Sequence, residues 1–196
     1  MSGRGTYVVI DGIDGTGKTA LAGRLVTPLL QRGHSVSSFR EPRDTFLRRQ
    51  YQRLARVDSF AAALCLTADR SLIRPEVEAA LEMGDVVVQD RSFYSTLAYQ
   101  YPVLDPDSWR ELERIELALA LEPDLVLYLD APAELAIRRV EGSGERNPFE
   151  DEPYLSKVRA KFAQMFQPPK WVKVDASGPL EHTLEQALNA LMAAGL

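Results

Sequence analysis

Residues 12–19 read Gly-Ile-Asp-Gly-Thr-Gly-Lys-Thr. The G-x-x-x-x-G-K-[ST] spacing serves one kind of chemistry, the cradling of a polyphosphate. Glycines at 12, 15 and 17 let backbone N–H groups converge on one concavity, and a helix beginning here adds partial positive charge. Lys18 would reach the β- and γ-phosphates, and the Thr19 hydroxyl would ligate Mg²⁺. The apolar run Tyr7–Ile10 before the motif and a helical pattern after it supply the expected context. A nucleoside triphosphate is therefore expected here, its phosphates held by Gly12, Gly15, Thr16, Gly17, Lys18 and Thr19.

Two further runs end in a carboxylate: Val86-Val-Val-Gln-Asp90 and Leu125-Val-Leu-Tyr-Leu-Asp130. As strands they would deliver the acid to the carboxyl edge of a sheet, where ligands bind. A phosphate-bound Mg²⁺ calls for such a carboxylate. Asp90, followed at once by Arg91, is the favoured candidate; Asp130, before Ala-Pro, reads as the cap of the next helix. Arg40, Arg70, Arg91 and Arg146 come from four separate segments, and the glycine-rich turn fixes where they could converge. A hydroxyl acceptor needs a general base. A monophosphate acceptor, with a second pKa of about 6, is already ionised at neutral pH and needs cations instead. Four arginines favour a phosphate acceptor, because His34 and His182 both read as surface residues.

The elements that would position these groups alternate along the chain. Tyr7–Asp11, Val36–Arg40, Val86–Asp90, Leu125–Asp130 and Trp171–Asp175 read as strands, three of them continuously apolar as in a buried parallel sheet. Leu21, Leu25 and Leu29 share a helix face closed by Gly33. A second helical region runs from Ala61 past Leu81, with Pro75 expected to kink or restart it. Its face Ala61–Leu72 suits either the core or a partner. Leu112, Ile115 and Leu119 mark a third, from about Ser108. Segments 132–139, 154–166 and 180–192 supply the rest. The expected architecture is one α/β domain over residues 1–196, a three-layer αβα fold with a central parallel sheet of about five strands. Residues 141–152, with two glycines and a proline, read as a surface loop or, given the phosphate motif, as a mobile lid.

Composition narrows the class. The net charge of −5 argues against a protein that coats nucleic acid. Cys65, the single cysteine, excludes disulfide scaffolds and cysteine-based zinc sites within the chain and reads as a small core residue. No apolar run approaches the ~20 residues of a membrane span. Met1–Thr6 is short, polar and glycine-rich, unlike a signal peptide, so the expected compartment is the cytoplasm.

At this level of detail the chain resembles thymidylate kinase, in its bacterial-type branch. The likeness runs from residue 7 to about 177. It rests on Ile10–Thr19, Arg40-Glu-Pro42, Leu66-Thr-Ala-Asp-Arg70, Asp90-Arg91 with Ser95 and Ala98-Tyr-Gln100, Pro123-Asp-Leu125, Arg146…Glu150 and Asp175-Ala-Ser177. The resemblance implies transfer of the γ-phosphoryl of Mg²⁺-bound ATP to dTMP, and a homodimer. It implies that Asp14 approaches the acceptor's 3′-hydroxyl, and that Arg40 and Arg91 hold its phosphate. Asp90 would organise the Mg²⁺, Arg70 and Thr96 would reach the thymine, Leu66 would lie over the ring, and Tyr99 would pack near the sugar. Ala176 would border the adenine. One branch of the family carries an arginine where this chain has Gly15; the other supplies it from the lid, which points to Arg146.

The chain also departs from the family pattern. Leu66 stands where an aromatic is usual. Arg43-Asp-Thr-Phe46 replaces Gly-Gly-Thr-Pro, Ser92 replaces an aromatic, and Tyr101-Pro102 replaces glycines. Three other readings stay open: another pyrimidine monophosphate as acceptor, a deoxynucleoside kinase with Glu41 as base, and a nucleotide-dependent switch.

Overall fold

Five strands alternate with helices in the computed structural model, which describes residues 4–143 and 151–196. In chain order they are β1 (Thr6–Gly12), α1 (Lys18–Gln31), β2 (Val36–Arg40), α2 (Thr45–Leu54), α3 (Ser59–Glu82), β3 (Val86–Asp90), α4 (Phe93–Gln100), α5 (Pro106–Leu119), β4 (Leu125–Asp130), α6 (Ala133–Ser143), α7 (Glu152–Met165), β5 (Trp171–Asp175) and α8 (Leu180–Ala193). The sheet is parallel throughout, in the order β2-β3-β1-β4-β5. This is the expected three-layer fold, and the strand bounds match the sequence reading to within a residue.

Alternation within each strand divides the core in two. Val8 and Ile10 of β1, with Val86, Val88, Leu127 and Val174, meet Leu21, Leu25 and Leu29 of α1 and Ala187 and Leu191 of α8. Tyr7 and Val9 point the other way, towards Ile73 and Val77 of α3, Ala98 of α4 and Leu155 and Phe162 of α7. β1, β3 and β4 are buried on both faces, which accounts for their unbroken apolar runs. Register then places the site: Asp90 lies opposite Ile10 on one side and Arg40 on the other. The P-loop leaves β1 at the point where the strand order reverses, the expected place for a ligand in an open α/β sheet.

Several local expectations change. α3 is one helix of 24 residues that runs through Pro75 rather than restarting there. Ile73, Val77, Ala80 and Leu81 bury their side chains around the proline, and that packing overrides the lost backbone hydrogen bond. Leu64 and Leu72 of α3 are exposed, and its buried face carries Thr67, Asp69 and Arg70 instead. Cys65 is therefore only partly buried rather than a core residue. α5 begins at Pro106, capped by the Asp105 carboxylate, and its inward stripe is Trp109, Leu112 and Glu116, not Leu119. The segment 93–100, read for its motif alone, is the helix α4, capped by Ser92. Asp130 does not cap α6: its carboxylate is taken by Arg159 at 2.6 Å and Lys173 at 2.7 Å. Burial alone would raise its pKa, but these two cations hold it at about 2.

Candidate active site

The glycine-rich turn is shaped by what presses on it. Gly12 has φ +143°, and a Cβ there would lie 2.4 Å from the Leu129 carbonyl oxygen. Gly15 has φ +83°, and its Cβ would lie 2.1 Å from the Ala136 carbonyl oxygen of α6. α6 packs against the turn here, so in this chain any side chain at position 15 would have to displace backbone. Gly17 is the N-cap of α1, with no side-chain cap and no acidic residue in the first turn. The first N–H groups of α1 thus remain available to an anion.

Inside the turn the Lys18 ammonium donates to the Ile13 carbonyl at 2.7 Å and lies 3.4 Å from Asp14 Oδ1. Thr16 closes the turn by donating to the same carbonyl at 2.8 Å. Burial and the nearby Arg91 charge lower the Lys18 pKa, against the pull of Asp14 and Asp90. Arg91 donates Nη2 to Asp14 Oδ1. Burial would raise the Asp14 carboxyl, but Arg91 and Lys18 override it and hold it well below the usual range. Arg91 itself sits at φ 71°, a left-handed conformation that non-glycine residues adopt mainly at functional sites. Its guanidinium lies 5.7 Å from the centre of the Tyr99 ring, and the Tyr99 hydroxyl accepts from the Asp14 N–H at 2.8 Å.

Thr19 donates to Asp90 Oδ2 at 2.6 Å, which joins the two candidate Mg²⁺ ligands. Asp90 Oδ1 is buried and has no hydrogen-bond partner among the described residues. A hydroxyl beside a carboxylate oxygen with spare capacity fits a hard cation. The described residues hold no cluster of three or more metal-binding side chains. Arg40 reaches the same carboxylate at 3.5 Å and leaves its side chain 55% exposed.

The opposite wall is a closed ionic network. Arg70 donates Nε and Nη2 to Glu41 at 2.7–3.1 Å, Nη2 also to Thr96 at 3.0 Å, and Nη1 to Glu116. The Gln89 amide donates to Glu41 at 2.7 Å and to the Arg91 carbonyl at 3.0 Å. Burial raises the Glu41 pKa to about 7 despite the Arg70 charge. Leu66 lies one helical turn before Arg70 and is half-buried.

Other residues of the site were not singled out from the sequence. Asp11 is fully buried and accepts from Ser92 at 2.7 Å and from Ser95, pinning β1 to α4. Burial raises its pKa, with both serine hydrogen bonds opposing. Ser92, a departure from the family pattern, thus both caps α4 and anchors Asp11. Asp69 accepts from the N–H groups of Arg43 and Asp44 at 2.9 and 2.6 Å, and Asp44 caps α2, so the loop after Pro42 is held without the usual glycines. Tyr101 packs edge-on against Trp109, and Lys161 of α7 lies over both rings. The signal for Asp11, an acid at the end of the strand leading to the turn, was present but had no local partner.

The adenine-side prediction falls at the β5 carboxyl end. Ala176 is buried, and its carbonyl accepts from Arg139 at 2.6 Å, with Ser177 and Gly178 accepting from the same guanidinium. Arg146, and with it most of the lid read at 141–152, lies outside the described residues.

The family model described as thymidylate kinase matches residues 10–187. Over 185 residues the chain is 34% identical to a probable thymidylate kinase of Archaeoglobus fulgidus, covering 91% of each chain. It is 37% identical over 199 residues to the thymidylate kinase of a Synechococcus strain, covering 93% of each. It is 38% identical over 201 residues to that of Xanthomonas oryzae pv. oryzae, covering 97% of this chain and 84% of the other.

Proposed function

The chain belongs to the thymidylate kinase family, and from that premise we propose that it transfers the γ-phosphoryl group of ATP to dTMP, giving dTDP for dTTP synthesis. One observation carries the reading beyond the family name. Lys18 of the donor loop and Arg91 after β3 both contact Asp14 Oδ1. A cation suited to the donor's γ-phosphate and one suited to an acceptor phosphate therefore meet at one carboxylate. Two phosphates bound by this pair would be brought close together, and an acceptor oxygen that is already ionised needs no base.

Lys18 and the α1 N-terminus take the donor phosphates, while Arg91 and Arg40 take the acceptor phosphate. Asp14, displaced from its two cations by phosphate, is the nearest acceptor for the deoxyribose 3′-hydroxyl. Tyr99 packs beside the sugar, and Arg70, Thr96 and Leu66 bound the base. Thr19 and Asp90 would hold Mg²⁺, which neutralises charge on the phosphate oxygens when bound. Arg146 from the lid supplies the transition-state cation, and Ala176 borders the adenine. Orientation and charge neutralisation do the work, as phosphoryl transfer requires.

Glu41 does not suit the base of a deoxynucleoside kinase. Its carboxylate is filled by Arg70 and Gln89. The reading places the enzyme in the cytoplasm with its substrates; no helix among the described residues is long and apolar enough to cross a membrane. It also makes the α3 face at Leu64 and Leu72, 38% and 59% exposed, the contact between two copies. Light scattering of Leu72→Glu beside the unaltered chain checks this, a monomer being expected only of the variant.

The deciding experiment measures ADP release from ATP with dTMP, with thymidine and with no acceptor. Turnover only with dTMP is expected. Turnover with thymidine but not dTMP would overturn the proposal.

A further inference from the structure

Arg70 has more carboxylate around it than its charge requires. Glu41 already supplies a carboxylate, through a fork onto Nε and Nη2. Glu116, from α5, adds a second. It is 0% exposed, in the place along the α5 stripe where a leucine would otherwise pack. Two buried carboxylates thus share one guanidinium. Such a group is a poor device for stability and a good one for fixing a geometry.

What Glu116 adds is direction. A guanidinium offers five N–H donors. Glu41 takes the one on Nε and one on Nη2, and Thr96 takes the other on Nη2. Glu116 Oε2 takes one of the pair on Nη1. Among the described residues a single Nη1 N–H is then left for a ligand. Glu116 is itself held from behind, its Oε1 accepting from Thr67 at 2.8 Å, one turn before Arg70 on α3. With both edges of the guanidinium fixed, the remaining N–H has one direction.

We propose that Glu116 is a positioning residue for acceptor-base selection: backed by Thr67, it fixes the Nη1 edge of Arg70 so that one N–H faces the pyrimidine. That donor accepts a base with a carbonyl oxygen at its 4-position and rejects one with an amino group there, which would leave two donors facing each other. The proposal rests on the dTMP kinase reading, in which Arg70 meets the base.

The test compares kcat/KM for dTMP and dCMP, with ATP as donor, in the full chain and in Glu116→Gln, Thr67→Val and Arg70→Lys. Glu116→Gln is expected to lower the dTMP:dCMP ratio about tenfold, through a raised KM for dTMP, with kcat and the KM for ATP within about twofold. Thr67→Val keeps every charge and is expected to shift the ratio the same way by less; it carries the test if Glu116→Gln does not fold. A structural role alone would lower the melting temperature and leave the ratio unchanged. Wild-type ratios in the folded Glu116 or Thr67 variants, beside a collapsed ratio in Arg70→Lys, overturn the role of Glu116. A wild-type ratio in Arg70→Lys removes the base contact itself and the proposal with it, while dTMP turnover still stands. No turnover of dTMP by the unaltered chain removes the functional reading first.

Discussion

The cations on the two sides of the site are held in opposite ways. On the phosphate side Lys18 and Arg91 share one oxygen of Asp14, and Arg40 lies half in solvent with a 3.5 Å contact to Asp90. On the base side Arg70 is buried and meets two carboxylates and a hydroxyl. Under the proposed function, the difference follows from what each would bind. A phosphate brings its own negative charge and can displace a shared carboxylate, so cations that serve it need spare capacity. A pyrimidine brings only polar edges and cannot displace a carboxylate, so its reader must be oriented beforehand by the protein.

The largest expected break in this comparison is Lys18→Met. It removes the donor-phosphate cation and should lower kcat by about 10³-fold. Because burial already disfavours the Lys18 charge, the thermal midpoint should hold, and a midpoint falling along with kcat would count against a purely catalytic role. Arg70→Met breaks the other side differently. It strands Glu41 and Glu116, so a loss of about 3–5 kcal/mol of stability is expected, read as a drop of about 10 °C in thermal unfolding. The KM for dTMP should rise about 10²-fold in the same variant. A stable Arg70→Met protein would show that the network is not the rigid side.

The same contrast separates what the sequence disclosed from what it withheld. The phosphate side is written in one contiguous stretch, because the strand, turn and helix that cradle a phosphate are local in the chain. Gly12 to Thr19 could be read directly, and Asp90 followed from a strand ending in an acid. The base side joins Glu41, Thr67, Arg70, Thr96 and Glu116, up to 75 positions apart. Glu41 could be read only as a candidate base and Glu116 as an ordinary charge; their burial against Arg70 appears only when α3 packs beside β3 and α5. α3 misled for the same reason: apolar residues recur on both its sides, and polar residues at 67, 69 and 70 join the apolar ones that face inward.

Gly15→Ala probes the backbone of the phosphate side. A side chain there meets the Ala136 carbonyl at 2.1 Å and must hold φ +83°. The left-handed backbone and the clash together should cost about 2–3 kcal/mol. Since α6 must give way and the turn is the proposed seat of the donor phosphates, kcat/KM for ATP should fall by up to about 30- to 160-fold, the kinetic equivalent of that cost. The KM for dTMP should barely move. An equal loss for both substrates would mean that the two sides are coupled through the turn and not separately built.

The smallest effect is a pH dependence confined to the base side. Burial brings the Glu41 pKa to about 7, so its protonation falls within the working range. As pH drops from 8 to 6 the carboxylate takes up a proton, and the fork onto Arg70 loses its charge. Arg70 is then held by Glu116 and Thr96 alone. The KM for dTMP should therefore rise about tenfold by pH 6, one unit below that pKa. The acceptor phosphate, with a second pKa of about 6, titrates nearby and contributes to the same profile. Glu41→Gln separates the two. The variant has no proton to gain at position 41, so it should show a raised KM for dTMP at pH 8 and only the residual slope due to the phosphate. Glu41 bonds Arg70 and Gln89 and no residue of the donor loop, so the KM for ATP should follow the same pH profile in both proteins. Identical slopes for Glu41→Gln and the unaltered chain would mean that Glu41 keeps one charge state throughout, and that the guanidinium edge is fixed by Glu116 and Thr96 without its help.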